Sequence, residues 1–255
     1  MKSILLIVAL CFATIVIRAQ GNQPATGTSG TVVYEQVVKL EIKLEGESAQ
    51  FANMMPKERK SQKLLLFNQA ASLYENKKSE ENQDLNMHSE GGPVMIKMME
   101  PDNKVFTNLS ENSQVEKREF MTREFLIETK LNPSDWKLTG NQKMIMNYPC
   151  QEAVKETKEG KTSVWFTPVI PVSAGPGVFN GLPGLVLAAD VNGGKQTLTA
   201  VSIDLKEVAD NEIVKPDKGK KVTREEFDKI VEEKMKEMGA QGGMGGNKVM
   251  IRIGH

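Results

Sequence analysis

Along residues 30–44, GTVVYEQVVKLEIKL, apolar and polar positions alternate. Val32, Tyr34, Gln36, Val38, Leu40, Ile42 and Leu44 share one parity, and all but one are apolar. Val33, Glu35, Val37, Lys39, Glu41 and Lys43 share the other, which turns charged. A period of two built from β-branched and aromatic residues predicts a long, half-buried strand. The same grammar recurs downstream. LLLF (64–67) and SLYE (72–75) predict a hairpin, and VMIKMM (94–99) and KVFTNL (104–109) predict a second one around the turn PDN. VEKREFMTREFLIE (115–128) fits either a charged strand pair or an amphipathic helix, and the strand pair is the preferred expectation. Strand-like runs from Trp136 to Pro168 are broken by turn signals near Gly140 and Gly160, and LVLAADV and TLTAVSIDL flank the turn NGGK. Two stretches break the pattern. Residues 48–61, with Met54, Met55 and Pro56 among charges, predict a short helix or loop, and the polar residues 76–93 predict a mobile surface loop.

The period changes near the end of the chain. Thr223 with Glu226 three residues on forms a capping box, which satisfies free amides at a helix start. Phe227, Ile230, Val231, Met235 and Met238 follow at helical spacing, and Gly239 supplies a stop, so a helix is expected over 224–238. Many short strands and one late helix define a mainly β, β-rich α+β class. The expected architecture is a single curved antiparallel sheet, half-barrel or sandwich-like, with a C-terminal helix. The chain divides into a lead-in over 20–30, one domain over 31–239, and a flexible Gly/Met-rich tail over 240–255 in which VMIRI is a further strand candidate.

The densest backbone specification lies in GPGVFNGLPGLVLAAD (175–190). Gly175, Pro176 and Gly177 force a bend. Gly181 precedes Pro183-Gly184, a pair suited to the central positions of a type II turn. The run LVLAA after them fits a strand buried on both faces. A phosphate-binding loop would need Lys and Ser or Thr after its last glycine, then a helix. Leu185 and Val186 stand there instead, and a strand follows.

Composition places this chain. MKSILLIVALCFATIVIRA has one lysine, an apolar run from Ile4 to Ile17, then Arg18 and Ala19. That is the layout of a secretory signal peptide over 1–19. Its apolar run falls short of the roughly 20 residues a membrane span needs. Cleavage removes Lys2 and Arg18, taking the basic residues from 33 to 31 against 33 acidic ones, a net charge of −2. A balanced charge with no basic stripe excludes a nucleic-acid partner. Cys150 is the one cysteine left, so no internal disulfide can form, and the fold must rest on its core. An exported protein without disulfides suits a bacterial periplasm or an outer-membrane surface.

GLPGLV (181–186) resembles the motif that names the GLPGLI family, exported proteins of Bacteroidetes without an established function. YPCQEA, VWFTP, IPVSAGPGVFNGLPGL and EEFDKIVEEKM follow the same layout, with Val186 in place of isoleucine. The resemblance implies export and an outer-membrane context, and it supplies no catalytic residues.

Candidate chemistry is sparse. A hydrolytic triad needs a histidine held in place, and the two histidines are His88, in a polar stretch, and His255, the last residue. The 14 methionines could offer soft ligands to Cu(I), or adaptable apolar filling. The expectation is therefore an exported, non-enzymatic binding protein without a cofactor. It would hold an apolar ligand, a peptide or an outer-membrane protein on the curved sheet, with Trp165 and Phe179 as lining. One alternative is a structural assembly partner of an outer-membrane complex without a ligand cavity, and a second is methionine-based copper handling. The discriminating observation is whether the concave face is open or filled.

Overall fold

The computed structural model describes residues 24–44, 56–78, 84–89, 92–97, 100–132, 136–157, 160–241 and 249–252. The expected signal peptide, the first four residues of the lead-in and most of the tail lie outside the described residues. So do Met54, Met55, Met98, Met99, Met244 and His255.

Sixteen strands are described. They are β1 (Gly30–Lys39), β2 (Glu41–Leu44), β3 (Glu58–Phe67), β4 (Ala71–Asn76), β5 (Asp84–Ser89), β6 (Gly92–Lys97), β7 (Lys104–Asn108) and β8 (Ser113–Phe120). Then come β9 (Arg123–Lys130), β10 (Lys137–Ile145), β11 (Tyr148–Thr157), β12 (Gly160–Thr167), β13 (Leu185–Val191), β14 (Gln196–Asp204), β15 (Lys220–Val222) and β16 (Val249–Arg252). Twelve of these form one curved, open sheet in the order β10-β11-β12-β13-β14-β1-β3-β4-β7-β8-β9-β15. Its neighbours pair antiparallel, except that β15 lies parallel to β9. The sheet thus has the expected mainly β class, with helix α1 (Arg224–Gln241) at its C-terminal end.

The expected alternation in β1 holds: Val32 and Tyr34 are fully buried and Val38 nearly so, while Glu35 is exposed. The 64–67 and 72–75 hairpin is present, and residues 115–128 form the β8–β9 pair. Five local expectations are corrected. Glu58–Ser61 belong to β3, because register with β1 extends that strand backwards. The polar stretch 76–93 contains β5, which pairs with β6 in a separate two-stranded sheet. Val94–Lys97 therefore do not pair with residues 104–109, and β7 pairs with β4 and β8 instead. Gly140 is a bulge inside β10 (φ +83°), and the β10–β11 turn falls at Met146-Asn147, both with positive φ. Helix α1 runs through Gly239 to Gln241, past the expected stop. Val249–Arg252 pair with β2.

Register defines one inward face. Tyr34 lies opposite Lys63, Leu65 opposite Tyr74, Tyr74 opposite Val105, Val105 opposite Glu116, and Glu116 opposite Ile127. Side chains of this row point to the same face. At one end, Ala153, Val164, Leu187, Ala189 and Leu198 fill it. At the far end helix α1 covers it: Phe227 packs edge-on against Phe125 and Phe120, with ring centroids 5.4 and 6.4 Å apart. The helix starts as expected, with Thr223 Oγ1 accepting from the Glu226 amide (3.1 Å) and Glu226 Oε2 accepting from the Thr223 amide (2.9 Å). On the opposite face, Val208 and Ile213 from the segment after β14 cover Leu73, Leu66 and Phe106.

Candidate functional site

Residues 168–184 connect β12 to β13 and cross the inward face. Ile170, Val172, Ala174 and Leu182 are 0–4% exposed and belong to the main core. Burying an isoleucine or leucine side chain is worth about 1.5–3 kcal/mol, so this loop is core material. Its backbone is tightly wound. The Val172 and Ala174 amides donate to the carbonyls of Ile170 and Val172, both at 2.8 Å, and the Gly184 amide donates to Leu182 (2.8 Å). These bonds skip one residue and close γ-turns centred on Pro171, Ser173 and Pro183. Pro183-Gly184 is therefore not a type II turn. Gly184 is opened to φ +156°, and a Cβ there would fall 2.1 Å from the Thr167 carbonyl oxygen. Gly175 is pinned by proximity: a Cβ there would sit 1.9 Å from the Phe179 carbonyl oxygen and 2.8 Å from Val186 Cβ. Gly177 and Gly181 take positive φ (+62° and +84°), and Pro176 is buried.

Long-range bonds then fasten the loop down. Tyr34 donates its buried hydroxyl to the Val186 carbonyl (2.7 Å), while within the loop Ser173 Oγ donates to the Leu182 carbonyl (2.7 Å). Trp136 Nε1 donates to the Asn180 carbonyl (2.9 Å), and Gln114 Nε2 reaches Gly177 (3.3 Å) from β8. Burial pushes the Tyr34 hydroxyl well above its ordinary range, so it acts as a neutral donor. The five residues Leu185–Ala189 are all buried, as a doubly covered strand requires. The part of the inward face that could have held an apolar ligand is filled by the protein's own loop.

Trp165 and Phe179 do not form one lining. Phe179 is half-buried in the loop against the main core. Trp165 lies on the other side of the sheet, in a shallow groove of about 460 Å³ with Lys143, Glu152, Ser163 and Asp190. Lys143 Nζ sits 4.1 Å from the Trp165 ring centroid, a cation–π contact. Glu152 is the hub of the groove. Its Oε1 accepts from Ser163 Oγ (2.5 Å), and its Oε2 accepts from Thr139 Oγ1 (2.8 Å) and Asn141 Nδ2 (2.7 Å). Those three donors hold its carboxyl below the ordinary carboxylate range. Thr139 and Asn141 flank the Gly140 bulge, so Glu152 replaces the ladder bonds the bulge gives up. Sequence reasoning missed this hub, because its donors come from two other strands.

Cys150 is buried, and burial pushes its thiol up to about 11. Met121 and Met146 lie in two different turns, Met144 on β10 and Met235 on the helix. Among the described residues, no group of three or more His, Cys, Asp or Glu side chains could hold a metal ion, and no helix is long and apolar enough to cross a membrane.

These features describe a curved-sheet protein in which the Gly- and Pro-rich loop serves a structural role. A family described as a protein of unknown function (Porph_ging) matches residues 153–188, from β11 through the loop into β13. That description assigns no function, as the resemblance implied, and it does not carry the GLPGLI name. No curated protein matches the chain. Two solved structures of PNGF-II, in C2 and P21 space groups, are similar at 17% identity and a TM-score of 0.49. The match covers 78% of this chain and 32% or 33% of theirs, so this chain spans about a third of their length.

Proposed function

We propose that the protein is an exported, non-enzymatic assembly partner within the bacterial envelope, which works by binding another protein. The observation that carries this reading is the filled inward face. Ile170, Val172, Ala174 and Leu182 occupy the space an apolar ligand would need. Ligand sites for small apolar molecules are concave cavities of roughly 300–1,000 Å³, and the loop leaves none over this part of the sheet. The large apolar side chains exposed on the sheet include Leu138 and Met144 on β10, a terminal strand of the sheet, with Met146 in the turn beyond. Exposed apolar residues at a sheet edge suit a protein contact better than a carrier pocket.

The test combines two measurements on protein taken from its own envelope. A photo-crosslinking side chain at position 138 or 144 is expected to give one discrete protein adduct, absent when it is placed at Val214. Native mass spectrometry is expected to show no lipid-sized mass. A retained lipid mass, or the same adduct pattern from all three positions, would overturn the proposal.

A further inference from the structure

Between the loop and helix α1, the inward face changes chemistry. Arg59, Lys63, Glu116 and Arg118 share one parity across β3 and β8, and Glu100 and Arg224 join them from outside those strands. Glu116 is only 2% exposed. Arg118 gives it two bonds through Nε (3.0 Å) and Nη2 (2.8 Å), and Arg224 reaches it from the first turn of the helix. Glu100 likewise carries two cations, Arg59 at 2.9 Å and Lys63. Lys63 also donates to Asn76 Oδ1 (2.5 Å). Among the described residues the cluster therefore sets four cations against two carboxylates, a formal excess of two positive charges on partly or fully buried groups. Uncompensated buried charge is costly.

The two halves of the cluster feel each other. Burial depresses the Lys63 ammonium, Glu100 opposes this, and Arg59 and Arg118 push it down further. Tyr74 stands between them, within electrostatic reach of Glu100 and Arg118. Its hydroxyl makes no hydrogen bond among the described residues, so a phenolic donor faces the excess charge. A planar guanidinium fork suits a carboxylate or phosphate and is weakly hydrated, so arginines at this place favour an oxyanion over chloride.

We propose that this end of the inward face is an anion-binding site for a group carrying about two negative charges on carboxylate or phosphate oxygens. Arg59, Lys63, Arg118 and Tyr74 would make the contacts, and Glu116 and Glu100 would hold the cations in place. This site is independent of the assembly role, since it concerns small anions and the isolated protein.

The experiment is isothermal titration of the purified chain with inorganic pyrophosphate and, separately, with citrate, at matched ionic strength in chloride. Saturable one-to-one binding of at least one anion is expected, and the tighter of the two identifies the source chemistry. R59Q and R118Q should each weaken it about tenfold, the worth of one charge-assisted bond. K117Q removes a cation from the opposite face, where Lys117 pairs with Asp102 and Glu124, and should leave affinity unchanged. Arg59 is bonded at the edge of the cluster, so R59Q remains informative if R118Q fails to fold. Absence of saturable binding in the native protein, or equal weakening by K117Q and R59Q, would overturn the proposal.

Discussion

The inward face of this sheet is closed in two different ways. Under the 168–184 loop it is dry: Val32, Val164, Phe166, Ile170, Ala174 and Leu185 are 0–1% exposed, and the polar contacts there are mostly to backbone. Towards helix α1 it is charged, and Arg224 to Glu116 is an ion pair across 108 residues of chain that ties the helix to the sheet. Tyr34 and Tyr74 meet edge-on at the border, with centroids 6.4 Å apart. The dry half gains from area removed from water, a robust and non-directional term. The charged half offsets desolvation with pairing, so it stands or falls with each partner. Damage to the first should therefore track volume, and damage to the second should track charge and pH.

The largest effect should come from breaking the dry half at its backbone. Gly175→Ala adds one methyl where the Phe179 carbonyl and Val186 already stand, neither of them a flexible side-chain end. We expect a loss of about 3 kcal/mol or more in urea unfolding, near the upper range for overpacking. A loss under about 1 kcal/mol would show that the loop can shift, and the dry half would not be rigid in the sense argued.

Glu116→Gln breaks the charged half. Burial alone would push this carboxyl up, but Arg118 and Arg224 outweigh it and hold it below the ordinary carboxylate range. Its contribution is therefore present above the unfolded-state pKa and is lost as pH falls through the depressed folded value. The amide keeps one neutral acceptor oxygen and puts an NH2 donor where the other carboxylate oxygen stood, so one arginine loses its acceptor and both lose the charge. A loss of about 3 kcal/mol is expected at neutral pH. The difference from the native protein should shrink on acidification. A pH-independent difference would assign the loss to packing and dissolve the contrast between the halves.

The dry half was largely legible in the sequence, and the charged half was not. Alternation in β1, the doubly buried run Leu185–Ala189 and the glycines at 175 and 184 are local signals, each imposed by residues within a few positions. A proline–glycine pair at 183–184 fits two geometries, and the packing of Gly184 against Thr167 selects the γ-turn over the expected type II turn. Arg59, Lys63, Glu100, Glu116 and Arg224 come from four separate segments, and their charges look like solvated strand decoration one by one. Only register places them on the inward face. The β5–β6 hairpin escaped for a related reason, since the polar run 76–93 carries turn residues that hide its pairing.

Tyr34→Phe tests the border without changing its shape. It removes the bond to the Val186 carbonyl and leaves that buried acceptor unpaired, an expected cost of about 1–2 kcal/mol. The aromatic contact with Tyr74 should survive. The loss should be the same at pH 5 and pH 8, because a hydroxyl held far above its ordinary range does not titrate there. A loss that varied across that window would mean Tyr34 belongs energetically to the charged half.

The smallest effect isolates the sheet's other face. Glu152→Gln keeps the shape of the hub but weakens its bonds to Ser163, Thr139 and Asn141. The group is half-exposed, so the global cost should stay below about 1 kcal/mol. The local effect should be larger than the global one, since Thr139 and Asn141 sit beside a bulge whose regular ladder to β11 is interrupted between Leu138 and Gln142. Amide hydrogen exchange should accelerate over 139–141, with the core amides of β13 unchanged. Because three donors hold the Glu152 carboxyl low, its tie to the bulge should persist above the ordinary carboxylate range and fail as pH falls through the depressed value. Exchange over 139–141 in the native protein should then approach the variant's at acid pH. If β13 amides accelerated as well, the outer hub would be coupled through the sheet to the dry half, and the two sides of the sheet could no longer be treated as separate sources of stability.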